Sequence, residues 1–204
     1  MTSWEKAASE LMKESAANAE FSSQTIRIGF KRLSENATIP TKAYASDSGF
    51  DLYAAEDVII EPGETKIVPT DIAVKLPQGF EGQVRPRSGV TAKTKLRVQL
   101  GTIDEGFGGN IGVIVDNTKQ RMMYVDIGGG TSVLKDVTAF DYFTICGTGE
   151  YAGERVADGS YKIRKGDRIA QLVVQALPEV TAVEIDGFTE ESERGEGGFG
   201  STGV

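Results

Sequence analysis

The chain has 204 residues, 39% of them hydrophobic and 25% charged, which is enough for one domain with a sizeable core. Its formal net charge of −8 argues against general nucleic-acid binding, which needs a basic surface, so we expect no nucleic-acid partner. Histidine is absent, which excludes serine–histidine and cysteine–histidine catalysis and histidine-built metal sites. An acid–base enzyme with this composition would use carboxylates, and a bound metal would be a hard, oxygen-liganded ion such as Mg²⁺.

The cysteine content and the distribution of apolar residues bear on the cellular compartment of the protein. The single cysteine, Cys146, excludes an internal disulfide, as is typical of proteins in the reducing cytosol. The N-terminus lacks a basic-then-apolar signal pattern, and no apolar run approaches the length that spans a membrane. These features predict a cytoplasmic protein with no membrane partner.

Residues 1–24 predict a helical extension distinct from the rest of the chain. Neither Gly nor Pro occurs before Gly29, and charged residues fill the face opposite an apolar stripe. Such an amphipathic helix would either pack on the body or lie in solvent, or it would bind a partner. The stripe consists of Trp4, Ala8, Leu11, Met12, Ala16 and Ala19.

Residues 25–185 predict an all-β domain. Short alternating or apolar runs are separated by turn signals such as Pro62-Gly63 and Lys165-Gly166-Asp167. This spacing is typical of a β sandwich or barrel, and the pattern lacks the βαβ alternation of a parallel sheet. The predicted strands include residues 58–60, 66–68, 72–76, 96–100, 111–115, 161–163, 169–177 and 180–185.

Residues 117–160 interrupt this rhythm and predict an insertion. The stretch contains the apolar run 122–125, three successive glycines from Gly128, and an aromatic run over 140–143. It has enough apolar residues to fold, and we expect extra hairpins. Long connections in compact domains are usually functional or disordered.

Residues 186–204 predict a flexible C-terminal arm. Glycine makes the segment unsuited to a core strand, yet Arg194 and Phe199 stand among those glycines and several acids. Composition alone leaves open a disordered tail and a segment that uses its arginine and its aromatic ring.

Asp104 is the first candidate for a catalytic carboxylate. It stands where the apolar run 96–100 gives way to a glycine-rich turn, and glycines on both sides let another molecule approach the backbone closely. A second candidate, Arg87-Ser88-Gly89, offers a guanidinium, a hydroxyl and an unhindered amide to a phosphate group, although a structural turn is the simpler interpretation.

Two further candidates lie among apolar neighbours. Asp51 is either a ligand on the metal side of a site or a satisfied turn carboxylate. Gln171 could reach a ligand from the predicted strand 169–177. Just before it, Asp167 and Arg168 are expected to form an ion pair that holds the turn.

Five segments occur in a fixed order: SDSGFDLYAA, RPRSGV, LGTIDEGFGGNIG, KGDRIAQLV and RGEGGFGSTG. In sequence and order they resemble the five motifs of the homotrimeric dUTPase family. The resemblance covers roughly residues 25–116 and 160–204, and it leaves out the N-terminal extension and the insertion.

The resemblance implies a β jelly roll (the dUTPase-like β-clip) that forms a homotrimer with active sites shared among three subunits. The implied reaction is dUTP + H₂O → dUMP + pyrophosphate, which limits uracil in DNA and supplies dUMP for thymidylate synthesis. Asp104 would deprotonate the water that attacks the α-phosphate, and Asp51 would hold Mg²⁺ through coordinated waters.

The resemblance also assigns the substrate contacts. Arg87, Ser88, Gly89 and Gln171 would bind the phosphate chain, and uracil would be recognised by the backbone of the hairpin that contains Thr102, Ile103 and Gly112. Phe107, where the family commonly has Tyr, would pack against deoxyribose. The arm would close over the nucleotide, with contacts from Arg194, Phe199, Gly200 and Ser201.

The insertion is the main departure from the family pattern. Some phage-type members carry such an insert, and some bind proteins that control gene expression. Residues 117–160 would accordingly form either a surface hairpin without a partner or a module that binds a protein partner. A dCTP deaminase is a further alternative within the same fold, and it fits the arm and the Asp104 hairpin less well.

Overall fold

The computed structural model describes residues 25–126, 133–136 and 138–187. The described chain is almost entirely β, which confirms the predicted class. Its strands are β1 Gly29–Arg32, β2 Phe50–Tyr53, β3 Val58–Ile60, β4 Thr65–Pro69, β5 Ile72–Lys75, β6 Phe80–Pro86, β7 Leu96–Val98, β8 Gly101–Ile103, β9 Gly112–Asn117, β10 Met123–Asp126, β11 Val133–Asp136, β12 Thr138–Thr144, β13 Gly149–Ala157, β14 Tyr161–Ile163 and β15 Arg168–Ala176. A short helix, α1, spans Ser88–Lys93.

The sheet that positions most of the candidate site has the strand order β2-β15-β6-β8. Successive side chains of a strand point to opposite faces, so each strand gives one set of residues to the core. The core-facing set includes Leu52, Val84 and Leu172, all buried. The opposite face carries the cross-strand row Asp51, Gln171 and Arg85, since Gln171 pairs with both of the others.

Two other sheets close the same core. Strands β4-β9-β7 form one sheet, and β13-β12-β14-β3 form the other. Their buried side chains join those of the first sheet in a single hydrophobic cluster, which includes Val68, Val113, Leu96, Ile60 and Ile163.

The extra hairpins expected in residues 117–160 are present. Within the described chain, strands β10 and β11 pair only with each other, whereas β12 pairs with β13 and also runs parallel to β14. The first residue of this stretch, Asn117, belongs to the core. It is buried and donates to the carbonyls of Ile60 and Gly159, both at 3.0 Å. The tip hairpin β10–β11 is therefore the part least involved in the main sheets.

One predicted strand is wrong. Residues 180–185 form no strand, because the ladder of β15 ends at Ala176 and only Leu177 continues it, donating to the carbonyl of Gly79 at 2.8 Å. The alternation that suggested a strand leaves Val180, Val183 and Ile185 exposed. The N-terminal extension, 1–24, lies outside the described residues. No helix of the described chain is long and apolar enough to cross a membrane.

An exposed ion pair joins the start of β3 to β14. The Nζ atom of Lys162 lies 2.8 Å from Asp57 Oδ2, and the backbone amide of Lys165 donates to Asp57 Oδ1 at 2.9 Å. The hydrogen bond from Lys162, followed by that from Lys165, holds the pKa of Asp57 below its usual range.

Replacing Asp57 with Asn is expected to lower stability at pH 7 by no more than about 1 kcal/mol, because the pair is exposed and screened by solvent. A carboxyl whose pKa is lower in the folded state stabilises the fold above its unfolded pKa and loses that effect as the pH falls through its folded pKa. The difference between wild type and variant should therefore shrink below about pH 4. Thermal unfolding at pH 7 and pH 3 checks this, and an equal difference at both values would contradict it.

Candidate active site

Asp104 lies directly after β8, at the start of the turn that leads to β9. The backbone amide of Phe107 donates to the carbonyl of Asp104 at 3.0 Å, which closes the turn. The side chain of Asp104 is exposed, and its carboxylate has no hydrogen-bond or ion-pair partner within the described part of the chain. A carboxylate that no other group engages is available to accept a proton from water.

Phe107 forms one wall of a cleft beside this turn. Its ring is 45% exposed and lies against Gly109, where a Cβ atom would come within 2.7 Å of the ring. The cleft has a volume of about 340 Å³ and is also lined by Phe30 and Lys75. Gly109 therefore makes room for the aromatic ring that, by the family resemblance, would pack against the sugar.

The other hairpin residues differ in what they can offer a ligand. Thr102 is exposed, whereas the side chain of Ile103 is buried in the core, so only the backbone of Ile103 is available. At Gly112 a Cβ would lie 2.6 Å from Cγ2 of Ile67. Packing against Ile67 by itself accounts for glycine at position 112.

Asp51 lies between two arginine side chains and is only 4% exposed. Its Oδ1 atom is 3.0 Å from Nε of Arg87, and its Oδ2 accepts from Nη1 of Arg168 at 3.2 Å. Nη1 of Arg87 in turn donates to the carbonyl of Arg168 at 3.0 Å. The cluster holds two guanidinium groups and one carboxylate, so its net charge is positive and suits a polyanion.

One oxygen of this carboxylate is not hydrogen-bonded. Asp51 Oδ1 is buried, and although Nε of Arg87 is close, it is not aligned as a donor, so Oδ1 makes no hydrogen bond with the described residues. Such an atom can accept a hydrogen bond from a ligand or from a water molecule bound to a metal.

The expected ion pair between Asp167 and Arg168 does not form. Oδ2 of Asp167 instead accepts from the backbone amide of Arg164 at 2.8 Å, which closes the turn, and Arg168 pairs with Asp51. The role of Arg168 was missed because the partner is remote in sequence. Only the pairing of β2 with β15 brings the two residues together.

The predicted phosphate-binding residues are grouped around Asp51. Gln171 lies directly across from Asp51 in the sheet, and Arg87 occupies the N-cap position of α1. Ser88 and Gly89 are exposed in the first turn of that helix, and a Cβ at Gly89 would meet nothing within 4 Å. Among the described residues, none obstructs the predicted phosphate cradle at Gly89.

Asp104 is far from this group within one chain. Asp104 follows Ile103, which pairs with Gly82 on β6, whereas Arg87 lies five residues beyond Gly82 towards the other end of that strand. At roughly 3.4 Å per residue, the backbones of Ile103 and Arg87 are about 17 Å apart along the strand, and Asp104 lies one residue farther away. The four arm residues Arg194, Phe199, Gly200 and Ser201 lie outside the described residues.

The sequence profile described as dUTPase matches residues 35–129 and 156–203. The chain belongs to the dUTPase family. The profile leaves out residues 130–155, a stretch that lies inside the predicted insertion.

The match covers 55% of the human mitochondrial deoxyuridine 5'-triphosphate nucleotidohydrolase and nearly all of several other relatives of this dUTPase family member. The deoxyuridine 5'-triphosphate nucleotidohydrolase of Gloeothece citriformis is 34% identical over 181 residues, which cover 88% of this chain and 98% of that protein. Among solved structures, the Staphylococcus bacteriophage 80alpha dUTPase with dUPNHPP has a TM-score of 0.76 and 36% identity, covering 88% of this chain and 100% of that one. That protein is described among phage dUTPases that control transfer of virulence genes by a G protein-like mechanism.

A second solved structure bears on the metal. A variant dUTPase from phage phi11 of S. aureus has a TM-score of 0.71 and 31% identity, covering 80% of this chain and 99% of that one. It is described as revealing the coordination of a structural Mg(II) ion. The likeness to two phage enzymes is consistent with the phage-type resemblance seen in the sequence.

Proposed function

We propose that this protein hydrolyses dUTP to dUMP and pyrophosphate by attack of water on the α-phosphate. The observation that carries the proposal is the exposed carboxylate of Asp104, which has no partner among the described residues, on the glycine-rich hairpin of a dUTPase-family fold. In a chain without histidine, a carboxylate is the base that remains for this step. The reaction limits uracil in DNA and supplies dUMP.

The positive cluster would bind the phosphate chain. Arg87 can offer a planar guanidinium to phosphate oxygens, and the exposed Ser88 and Gly89 add a hydroxyl and a backbone amide that no side chain obstructs. Gln171 lies within the same group on the sheet face. Asp51 and the carbonyl of Arg168 hold the guanidinium of Arg87 in place before the ligand arrives.

Magnesium fits the residues present. The buried and unbonded Oδ1 of Asp51 can accept from a water of a hydrated Mg²⁺, which normally keeps several waters and takes its other ligands from phosphates. The described residues contain no group of three acids that could cage a metal directly, so Asp51 would act through water. When bound, the ion would offset the charge of the triphosphate.

The remaining assignments concern the base, the sugar and the arm. Uracil would be bound by backbone groups of the hairpin at Thr102, Ile103 and Gly112, and Phe107 would pack on the sugar. A base whose polar edge does not match these backbone groups leaves some of them without a hydrogen-bond partner, which costs free energy. Backbone recognition can therefore reject cytosine. The arm residues Arg194, Phe199, Gly200 and Ser201 stay assigned by resemblance, as does a cytoplasmic location.

A homotrimer with shared sites is supported by two features of the single chain. The first is the separation of about 17 Å along β6 between Arg87 and Ile103, the residue that precedes Asp104. The second is exposed aliphatic surface, which marks interfaces when it is contiguous. Ile67 and Ile114 are directly opposed on one sheet face, and the segment 177–185 exposes four large aliphatic side chains.

The proposal is tested by incubating the protein with dUTP, dCTP, UTP and dTTP and measuring pyrophosphate, with and without EDTA. We expect a strong preference for dUTP and loss of turnover when the metal is removed. Equal rates on all four nucleotides would refute the substrate assignment. Release of ammonia from dCTP would instead identify a deaminase.

A second role, binding of a protein partner through residues 117–160, is favoured by two observations. The family profile omits residues 130–155, and the structurally similar 80alpha enzyme is described as controlling gene transfer. Among the described residues, the two strands of the β10–β11 hairpin pair only with each other. The hairpin is thus free to serve as a contact surface without disturbing the core sheets.

Replacing residues 123–136 with a short Gly-Ser linker should leave dUTP hydrolysis within about twofold of wild type, because additivity is expected for sites that share no partners. Binding of a protein partner, measured with the purified partner by calorimetry, should be lost. The matched control replaces Thr148, in the β12–β13 turn, with Ala, and we expect it to retain both properties. Loss of hydrolysis together with binding would show that the hairpin is structural.

A further inference from the structure

The hairpin that carries Asp104 has an unsupported tip. At Gly106 and Gly108 a Cβ atom would meet no described residue within 4 Å, so neither glycine packs closely on the described part of the domain. Phe107 is half exposed over the cleft described above. The position of Asp104 must therefore be set by the two places where the hairpin joins the domain.

The first anchor is close to Asp104 in sequence. The carboxylate of Glu105 accepts from the backbone amide of Gly79 at 2.9 Å, which ties the beginning of the turn to the β5–β6 connection. This bond is exposed, and a single exposed hydrogen bond contributes little net free energy. The second anchor is more extensive.

The second anchor is a corner formed by residues 70–72. Thr70, which is fully buried, donates to the carbonyl of Ile111 through its hydroxyl at 2.7 Å and through its amide at 3.3 Å. The amide of Ile111 donates to the carbonyl of Ile72 at 2.8 Å. These bonds fix the backbone at the end of the hairpin, but they leave the preceding residue, Asn110, to be held by side chains.

Asp71 supplies that contact. Its Oδ1 accepts from Nδ2 of Asn110 at 2.9 Å, and its Oδ2 accepts from the hydroxyl of Ser34 at 2.6 Å. Its carbonyl accepts from the amide of Leu33 at 2.8 Å. One residue thus connects the loop after β1, the corner and the hairpin.

Asp71 is also the one non-glycine residue of the described chain with a positive φ, at 52°. Glycine adopts this conformation freely, and aspartate is among the few other residues that tolerate it. Strained backbone that persists is commonly found where the local structure serves a function. This left-handed backbone conformation directs the Asp71 carboxylate towards Asn110. Glycine could adopt the same conformation, but it has no carboxylate to accept the hydrogen bond from Asn110.

We propose that Asp71 is a positioning residue for catalysis: through Asn110 it fixes the hairpin that carries Asp104 and recognises the base. The inference rests on the proposed dUTP hydrolysis. Rates of positioned reactions are sensitive to displacements of about 1 Å, which can cost about 10²-fold. The same displacement would loosen the backbone groups that distinguish uracil from cytosine.

The test uses variants that separate the hydrogen bond between Asp71 and Asn110, here called the clamp, from the backbone conformation of Asp71. Asp71→Gly keeps the positive φ without strain and removes only the carboxylate. We expect it to lower kcat/KM for dUTP by about 10- to 100-fold and to reduce the ratio of dUTP to dCTP turnover. Asp71→Asn keeps an acceptor for Asn110 and a donor for Ser34, so it should restore most of the activity.

Two further variants make the test specific. Ser34→Ala removes the other bond to the same carboxylate and should change kcat/KM by less than about threefold. Asn110→Ala should match Asp71→Gly, and the double variant should be no worse than either single one, because both remove the same contact. Equal losses in Ser34→Ala and Asp71→Gly, or additive losses in the double variant, would overturn the proposal.

Hydrogen exchange separates this proposal from the proposed function. Amides of residues 105–110 should exchange faster in Asp71→Gly than in Ser34→Ala, whether or not the wild type hydrolyses dUTP. Wild-type protein without dUTP turnover would refute the function alone. Unchanged exchange in Asp71→Gly, or unchanged base discrimination in an active wild-type background, would refute the clamp.

Discussion

Replacing Asp104 with Asn is expected to reduce kcat for dUTP hydrolysis by roughly 10²- to 10⁴-fold, the usual contribution of a general base. The amide has nearly the shape of the carboxylate but cannot accept a proton from the attacking water. Since the Asp104 carboxylate has no partner among the described residues, its loss should leave the melting temperature within about 2 °C of wild type. Pyrophosphate release under saturating dUTP gives kcat, and calorimetry with a non-hydrolysable analogue gives affinity.

The control for this prediction is the same chemical change elsewhere. Asp158→Asn alters a residue beside a different cavity, which is lined by Lys95 and Lys119, and it should retain normal turnover. If the Asp104→Asn enzyme keeps more than a tenth of wild-type kcat, a group other than Asp104 accepts the proton from the attacking water. An enzyme that loses affinity but keeps kcat would make Asp104 a binding residue instead.

Local sequence patterns predicted most of the strands but not how the strands pair with one another. Alternation and turn residues located β3, β4, β5 and β9 to within a few residues, because burial on one face of a strand imposes a period of two. The same rule failed for 180–185, where alternating residues find no strand partner in the described chain. Helix α1 was missed because six residues are too few for a helical period to be visible.

For the candidate site, too, individual residues were predicted but the contacts between them were not. Motif resemblance named Asp51, Arg87 and Gln171 separately, but their grouping depends on the register of β2, β15 and β6, and a shift of one residue would turn them to the other face. The pairing of Arg168 with Asp51 and the clamp at Asp71 depend on contacts between remote segments. No periodicity in a single sequence specifies such contacts.

If active sites are shared between subunits, as proposed, a mixing experiment can measure a quantitative consequence. Chains that carry Asp104→Asn and chains that carry Arg87→Gln should each form inactive homotrimers. If a site takes Asp104 from one chain and Arg87 from its neighbour, equal random mixing in a cyclic trimer restores about a quarter of the sites. If both residues act from the same chain, every site contains one substitution and the mixture stays inactive.

Dilution of wild type by a chain with both substitutions gives the complementary measurement. Shared sites again predict that about a quarter of the sites are active in an equal mixture, whereas sites within one chain predict about a half. Arg87→Gln leaves Asp51 paired with Arg168, so the variant should fold, and light scattering and thermal unfolding verify that each mixture is trimeric. The shared-site model predicts a larger active fraction than the within-chain model in the first mixture and a smaller one in the second. Partial inactivation or unequal expression therefore cannot imitate either result. Activity near one quarter in both mixtures would place the base and the phosphate cradle on different chains, as the proposed homotrimer predicts.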